Sequence, residues 1–187
     1  MARHLVSAVR EPSTLSIDVS ELLRRPGASL KFEVRCVLEG LSMPLSRVEE
    51  GSSLDVRLRF EALVDGIHAS GTVRGVVQRH CRRCLATLNG DVEVLFDELY
   101  LTPSEDAVDD DEAREIIDGF LDLEPALRDV VLVNLPLNPL CRTDCKGLCP
   151  ECGADRNEAD CGHRVERVDI RWEPLAGLKE RFEHTEE

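Results

Sequence analysis

The stretch LDVRLRFEALVDGIHASGTVRGVVQ, residues 54–78, decides the fold of the first half of the chain. From Leu54 to Ala62, apolar side chains alternate with charged ones, which is the period of a β-strand with one buried face. Asp65 and Gly66 then supply a tight turn, and small and β-branched residues follow it. The pattern predicts an antiparallel β-hairpin over residues 54–78.

Two further segments have the same alternation. Residues 32–38 place Cys36 on the buried face of a strand, where a free cysteine acts as a small core hydrophobe, so we exclude it from any functional site. Residues 91–101 predict another strand, with Val92, Val94 and Phe96 on one side. The expected fold class is α+β, with an antiparallel β-rich domain over residues 1–100 that is a meander or barrel-like.

The composition narrows the classes of function. The 187 residues allow one core plus a small module that needs other stabilisation. The formal net charge of -14 argues against a nonspecific basic surface for nucleic acid or anionic membranes. Neither a signal peptide nor an apolar run of membrane-spanning length is recognisable, so we expect a cytoplasmic protein without a membrane partner.

The chain becomes strongly acidic after the predicted strands. Residues 101–121 predict a solvated acidic connector, or alternatively an acidic surface for a basic ribosomal protein. A helix is expected to begin at Asp122, with Pro125 in its first turn, and to end at Pro136. The third region, residues 122–187, would comprise this helix, a zinc-knuckle module and a terminal amphipathic helix in residues 172–182.

The eight cysteines favour metal binding, because disulfides rarely persist in a reducing cytosol. The strongest motif is CPECG, residues 149–153, in which a tight turn directs two thiolates at one ion and glycine permits the required backbone conformation. The next available ligands are Cys161 and His163 in CGH. These residues predict a Cys3His zinc site.

Four cysteines remain, and they form a second possible group. The predicted upstream set is Cys81, Cys84, Cys141 and Cys145, and the predicted downstream set is Cys149, Cys152, Cys161 and His163. Two closed zinc sites follow, of which the upstream one would join the β-rich region to the C-terminal module. A single site drawn from the five cysteines of residues 141–161, with the CRRC pair free or redox-active, is the alternative.

Closed sites predict a structural role, because four protein ligands leave no position for an activated water. We find no catalytic constellation and no phosphate-binding glycine loop, so we expect no enzyme activity. The alternative from the class of enzymes is a CxxC dithiol oxidoreductase. Strand-like sequence follows CRRC, whereas a reactive dithiol needs a helix N-terminus. Thiolate ligands alone leave an iron–sulfur cluster open as an alternative to zinc.

Basic residues surround the CRRC motif. They are Arg74, Arg79, His80, Arg82 and Arg83, joined by Arg142 and Lys146 if Cys145 binds the same metal. They could contact RNA phosphates, or they could offset the charge of the thiolates, and the sequence leaves both open. No helix carries a basic face, so DNA binding is not expected.

Three motifs resemble the YceD family, the large ribosomal RNA subunit accumulation proteins. They are CRRCL at residues 81–85, the segment of residues 135–153 from LPLNPLC to CPECG, and DIRWEPLAGL at residues 169–178. The resemblance implies a noncatalytic role in accumulation or processing of large-subunit ribosomal RNA, with that RNA or a ribosomal protein as partner. An unrecognised ribosomal RNA nuclease is a further alternative. Where the family pattern has C-x-C, this chain has Cys161-Gly162-His163, and imidazole is a competent replacement ligand.

Overall fold

The computed structural model describes residues 15–103 and 114–163 of the chain. The described residues divide into two compact units. The first comprises those up to Arg82 together with Ala86–Cys141, and the second comprises Arg83–Leu85 and those from Arg142 onwards.

Every strand and helix among the described residues belongs to the first unit. The strands are β1 Ser16–Asp18, β2 Ser29–Cys36, β3 Ser42–Met43, β4 Ser46–Val48, β5 Leu54–Ala62, β6 Gly66–His80, β7 Thr87–Leu101, β8 Arg114–Glu115 and β9 Phe120–Asp122. The helices are α1 Ser20–Leu23 and α2 Glu124–Asn134. The predicted α+β class is confirmed, because antiparallel sheet predominates and is accompanied by the two helices.

The predicted hairpin is confirmed as β5 and β6. The two strands pair antiparallel from Asp55 opposite Arg74 to Ala62 opposite Ile67. The strand β6 is the central strand, since β5 and β4 pair with it along one edge and β7 along the other. The strands β5, β6 and β7 therefore form an antiparallel meander, and the CRRC motif occupies the turn between β6 and β7.

The alternation of the sequence is reproduced in the burial of the sheet. Side chains of β5 that face the core are almost fully buried, and the charged residues between them are more exposed. The ring centroids of Phe32 and Phe60 lie 5.7 Å apart on this buried face. Cys36 is partly buried and packs against the core, in agreement with its predicted role. The sheet thus buries one face and leaves charged side chains on the other.

The helix α2 is confirmed, with a shifted start. Its first residue is Glu124 and its N-cap position is Leu123 rather than the predicted Asp122. The Asp122 carboxylate nevertheless accepts a hydrogen bond from the Glu124 backbone N–H at 3.1 Å. Pro125 occupies the first turn, and the helix ends before Pro136. Three residues of α2 are fully buried: Ala126, Leu127 and Val131.

The described part of the predicted acidic connector contains the short strand β8 and the start of the strand β9. Ile116 and Leu121 are buried there, at 2% and 0% exposure, so this acidic segment also contributes apolar side chains to the core. Arg114 pairs with Glu98 at 3.2 Å and with Asp129 at 2.8 Å. The proposed domain boundaries stay a prediction, because residues 104–113 and the predicted terminal helix 172–182 lie outside the described residues.

Within residues 15–103 and 114–163, no helix is long and apolar enough to span a bilayer.

Candidate metal centres

The CRRC turn follows β6 directly and precedes β7. Cys81 is completely buried, and its backbone N–H donates to the Ala86 carbonyl at 2.9 Å. Leu85, which follows the second cysteine, has a φ of 61°. This left-handed conformation is unfavourable for a side chain larger than glycine, so the turn retains local backbone strain.

The CPECG turn repeats this hydrogen-bond pattern. The Cys149 N–H donates to the Ala154 carbonyl at 2.8 Å, and the Gly153 N–H donates to the Cys149 carbonyl at 2.8 Å. Gly153 has a φ of 73° and so takes the left-handed position that Leu85 takes in the other turn. The two CxxC segments are therefore equivalent knuckles, a similarity that the letters CRRCLA and CPECGA only partly display.

The structure brings the eight predicted ligand residues together in the two predicted groups. The ligand atoms of the upstream set all lie within 4.8 Å of one another, and the same holds for the downstream set. A tetrahedral Zn²⁺ with bonds of about 2.3 Å places its sulfur ligands about 3.8 Å apart, so both groups fit such an ion after a small contraction. Each set could hold one metal ion.

Backbone hydrogen bonds prepare the downstream set for a negative charge. The N–H of Cys152, followed by that of Glu151, donates to the Cys149 sulfur and lowers the pKa of the Cys149 thiol to about 6. The Ala154 N–H stabilises the Cys152 thiolate in the same way. The thiol hydrogen bond with Cys149 and the loss of hydration outweigh this effect, so the pKa of Cys152 is raised.

The CGH segment turns through its glycine. Gly162 has a φ of 73°, and its N–H donates to the Asp160 carboxylate at 3.0 Å. The left-handed glycine gives the sharp turn that the one-residue spacing between Cys161 and His163 requires. The structure thus places the imidazole with the three sulfurs of the downstream set.

Asn157 is a supporting residue that the sequence analysis did not identify. Its side-chain Nδ2 donates to the Cys145 sulfur at 3.4 Å, and its Oδ1 accepts from the Lys146 N–H at 2.8 Å. Arg83 supports the same segment by donating to the Cys145 carbonyl at 2.7 Å. No residue spacing in the sequence predicts either contact, because each depends on how separate loops fold together.

Several residues of the predicted basic cluster have partners within the protein. Arg74 pairs with Glu93 at 2.9 Å and Arg142 with Asp144 at 3.5 Å. Arg83 donates to backbone carbonyls, as described above. The Nε of Arg79 is buried without a hydrogen-bond partner among the described residues. A part of the cluster's charge is thus engaged in the protein's own structure.

The arrangement determines which chemistry the two groups support. Sets with four protein ligands form closed coordination shells, which stabilise structure and leave no position for a substrate or an activated water. None of the eight cysteines forms a disulfide, so the sulfur atoms of both sets are available as metal ligands. Cys36 belongs to neither set.

Comparison with known proteins places these residues in a family context. An uncharacterized protein of Mycobacterium tuberculosis is 36% identical over 172 residues, which cover 89% of this chain and 82% of that protein. The uncharacterized protein YlbN of Bacillus subtilis is 23% identical over 170 residues, covering 90% of this chain and 97% of YlbN. No solved structure matches the chain.

A shorter similarity joins the chain to a chloroplastic protein of Arabidopsis thaliana, the large ribosomal RNA subunit accumulation protein YCED homolog 1. It is 32% identical over 66 residues, 35% of this chain and 21% of that protein. The family model described as large ribosomal RNA subunit accumulation protein YceD matches residues 69–179, which include both ligand sets. The chain therefore belongs to the YceD family.

Proposed function

We propose that this protein is a noncatalytic zinc-binding factor that supports accumulation or processing of large-subunit ribosomal RNA. One observation carries the proposal: the match to the family of rRNA accumulation proteins extends over all eight residues of the two ligand sets. Its direct partner would be ribosomal RNA or a protein of the large ribosomal subunit, met in the cytoplasm.

The zinc ions would act through structure. Sulfur ligands that accept backbone N–H bonds, as Cys149 does, are suited to a stable tetrahedral thiolate site. In small modules the free energy of zinc binding, about 10 to 16 kcal/mol, is also folding free energy. Zinc would therefore fix the shape of the surface that meets the ribosomal partner. We expect two zinc ions per purified chain, and a measured stoichiometry of one would contradict the two-site proposal.

A noncatalytic role is supported by the position of the CRRC motif. The motif joins two strands, so neither cysteine has the helix N-terminus that activates the thiol of a dithiol oxidoreductase. In zinc-loaded protein, Cys81 and Cys84 should resist alkylation until a chelator is added. Rapid modification of either thiol in loaded protein would instead favour the oxidoreductase.

Depletion of the protein tests the proposed function. Cells lacking it should accumulate precursor large-subunit rRNA and contain less mature large-subunit rRNA, and the wild-type gene should restore both. The variants Cys84→Ala and Cys152→Ala should fail to restore them, because each opens one ligand set. Cys36→Ala is the matched control, since it removes a thiol outside both sets and should restore the profile. An rRNA profile that depletion leaves unchanged would refute the proposal.

A further inference from the structure

Asn157 contacts Cys145, and both residues belong to the second unit. In sequence it lies between Cys152 and Cys161, inside the loop whose ends belong to the downstream set. In space its side-chain Nδ2 lies 3.4 Å from the sulfur of Cys145, a member of the upstream set. One side chain thus belongs to the loop of one set and contacts a ligand of the other.

The orientation of this side chain is determined by its other partners. The Oδ1 accepts the Lys146 N–H, which is only a donor, at 2.8 Å. The Nδ2 donates to the Asp155 carboxylate, which is an acceptor when ionised, at 2.6 Å. These two contacts assign the amide nitrogen, rather than the oxygen, to the side that faces the Cys145 sulfur.

The loop that carries Asn157 is itself held by backbone contacts. The Asn157 N–H donates to the Asp155 carboxylate at 2.8 Å, and the Arg156 N–H donates to the Gly147 carbonyl at 3.0 Å. Both ends of the loop are candidate metal ligands. A metal ion at the downstream set would therefore restrict the loop and keep the Asn157 donor in place.

We propose that Asn157 is an outer-shell positioning residue through which zinc at the downstream set strengthens zinc binding at the upstream set. Donors to ligand atoms orient the ligand and change metal affinity by about 10- to 100-fold. Zinc at the downstream set would restrict the loop that carries Asn157. The Asn157 Nδ2 would then stay hydrogen-bonded to the Cys145 sulfur. The inference rests on the proposed zinc binding, and it adds an energetic coupling between the two sites, which is reciprocal.

Cobalt(II) titration of full-length protein tests the coupling. The upstream set offers four sulfurs and the downstream set three sulfurs and one nitrogen, so the visible spectra of their bound cobalt ions differ. We expect Asn157→Ala to weaken cobalt binding at the upstream set by about 10-fold or more and to leave unchanged the affinity of the downstream set measured while the upstream set is empty. Asn89→Ala, which changes an exposed asparagine of β7, should leave both affinities unchanged.

A second variant separates coupling from loss of loop structure. Asn157→Asp keeps an acceptor for the Lys146 N–H but removes the donor to the sulfur, so it should weaken the upstream set as well. Cys161→Ala should weaken the upstream set in the wild-type background and have little further effect in Asn157→Ala protein, as a double-mutant cycle measures. Additive effects, or an upstream affinity that Asn157→Ala leaves unchanged, would overturn the inference. Absence of cobalt binding at both sets of wild-type protein would instead refute the zinc proposal itself.

Discussion

Leu85 occupies a backbone conformation that glycine occupies in the equivalent turn. Its φ of 61° compares with 73° at Gly153, and its side chain is 57% exposed. A left-handed non-glycine residue costs about 1 to 2 kcal/mol, and the side chain gains little by packing. The turn that contains this residue carries Cys81 and Cys84, whose sulfur atoms lie within 4.8 Å of each other.

This strain predicts the effect of substitutions at the position. Leu85→Gly should keep two zinc ions per chain and be as stable as wild type or about 1 kcal/mol more stable, because glycine relieves the strain at some entropic cost. Leu85→Val should be less stable, since a β-branched residue tolerates positive φ poorly. Thermal unfolding with parallel zinc quantification measures both. A clear loss of zinc from Leu85→Gly would contradict the interpretation.

The two thiols of the CPECG turn should differ in reactivity when the protein is metal-free. The pKa of Cys149 is lowered to about 6 and that of Cys152 is raised, so near pH 7 the first is mainly thiolate and the second mainly thiol. Because Cys149 is buried and Cys152 is exposed, the measurement compares the pH dependence of the two alkylation rates by mass spectrometry, and the rate at Cys149 should reach its plateau at the lower pH. The alkylation rate of Cys149 should decrease as the pH falls through about 6, because protonation removes the nucleophile.

The low pKa of the Cys149 thiol also determines how metal binding depends on pH. Below a pH of about 6, Cys149 must lose a proton before it binds zinc, so the apparent affinity of the downstream set should decrease in acid. The same pH dependence of alkylation at Cys149 and Cys152 in metal-free protein would contradict the predicted difference. Zinc-loaded protein serves as the control, in which both thiols should be protected.

Among the elements, the pairing of β5 with β6 depends on a close backbone approach at Gly71. A Cβ atom there would lie 2.0 Å from the Arg57 carbonyl oxygen, and Gly71 pairs with Leu58 in the register. Gly71→Ala should therefore destabilise the protein by about 1 to 3 kcal/mol, because a strand must shift to make room. Denaturant unfolding measures the change. Ser70→Ala, on the neighbouring position of the same strand, should have a much smaller effect.

The sequence predicted elements whose signal is local and repeated. The alternation from Leu54 to Ala62 and the apolar spacing of α2 each extend over many residues, so both were identified. The helix α1 and the strands β8 and β9 have only two to four residues, too few for a period to be recognised. The pairing of β1 with β9 joins segments about a hundred residues apart, and no local pattern encodes it.

The candidate ligands were predictable for a different reason. Cysteine is a chemically distinctive residue, and pairs spaced by two residues identify a knuckle without reference to the rest of the fold. Asn157 and the strained Leu85 have common side chains whose role depends on backbone geometry. Their contribution to the site can be recognised only from the three-dimensional structure.

Removal of metal should affect the two units of the molecule differently. The first unit has its own core of buried apolar side chains, whereas the second has no strand or helix in its described residues. With chelator, residues 142–163 should lose protection against amide hydrogen exchange, and β5, β6 and β7 should retain it. The Cys36→Ala variant is the control for an effect of thiol loss alone. Exchange that increases equally in both units would show that the β-rich unit also depends on metal.

The ligand sets follow one another along the chain without interleaving. The upstream set ends at Cys145, and the downstream set begins at Cys149. At a synthesis rate of about 5 to 20 residues per second, about 3 to 11 s separate the synthesis of Cys84 from that of Cys141. The remaining ligands are synthesised within a few seconds after Cys141. The first coordination shell can therefore be completed before any ligand of the second appears. If both sets bind metal as proposed, this order of synthesis would favour assembly of the upstream coordination shell from its own four cysteines.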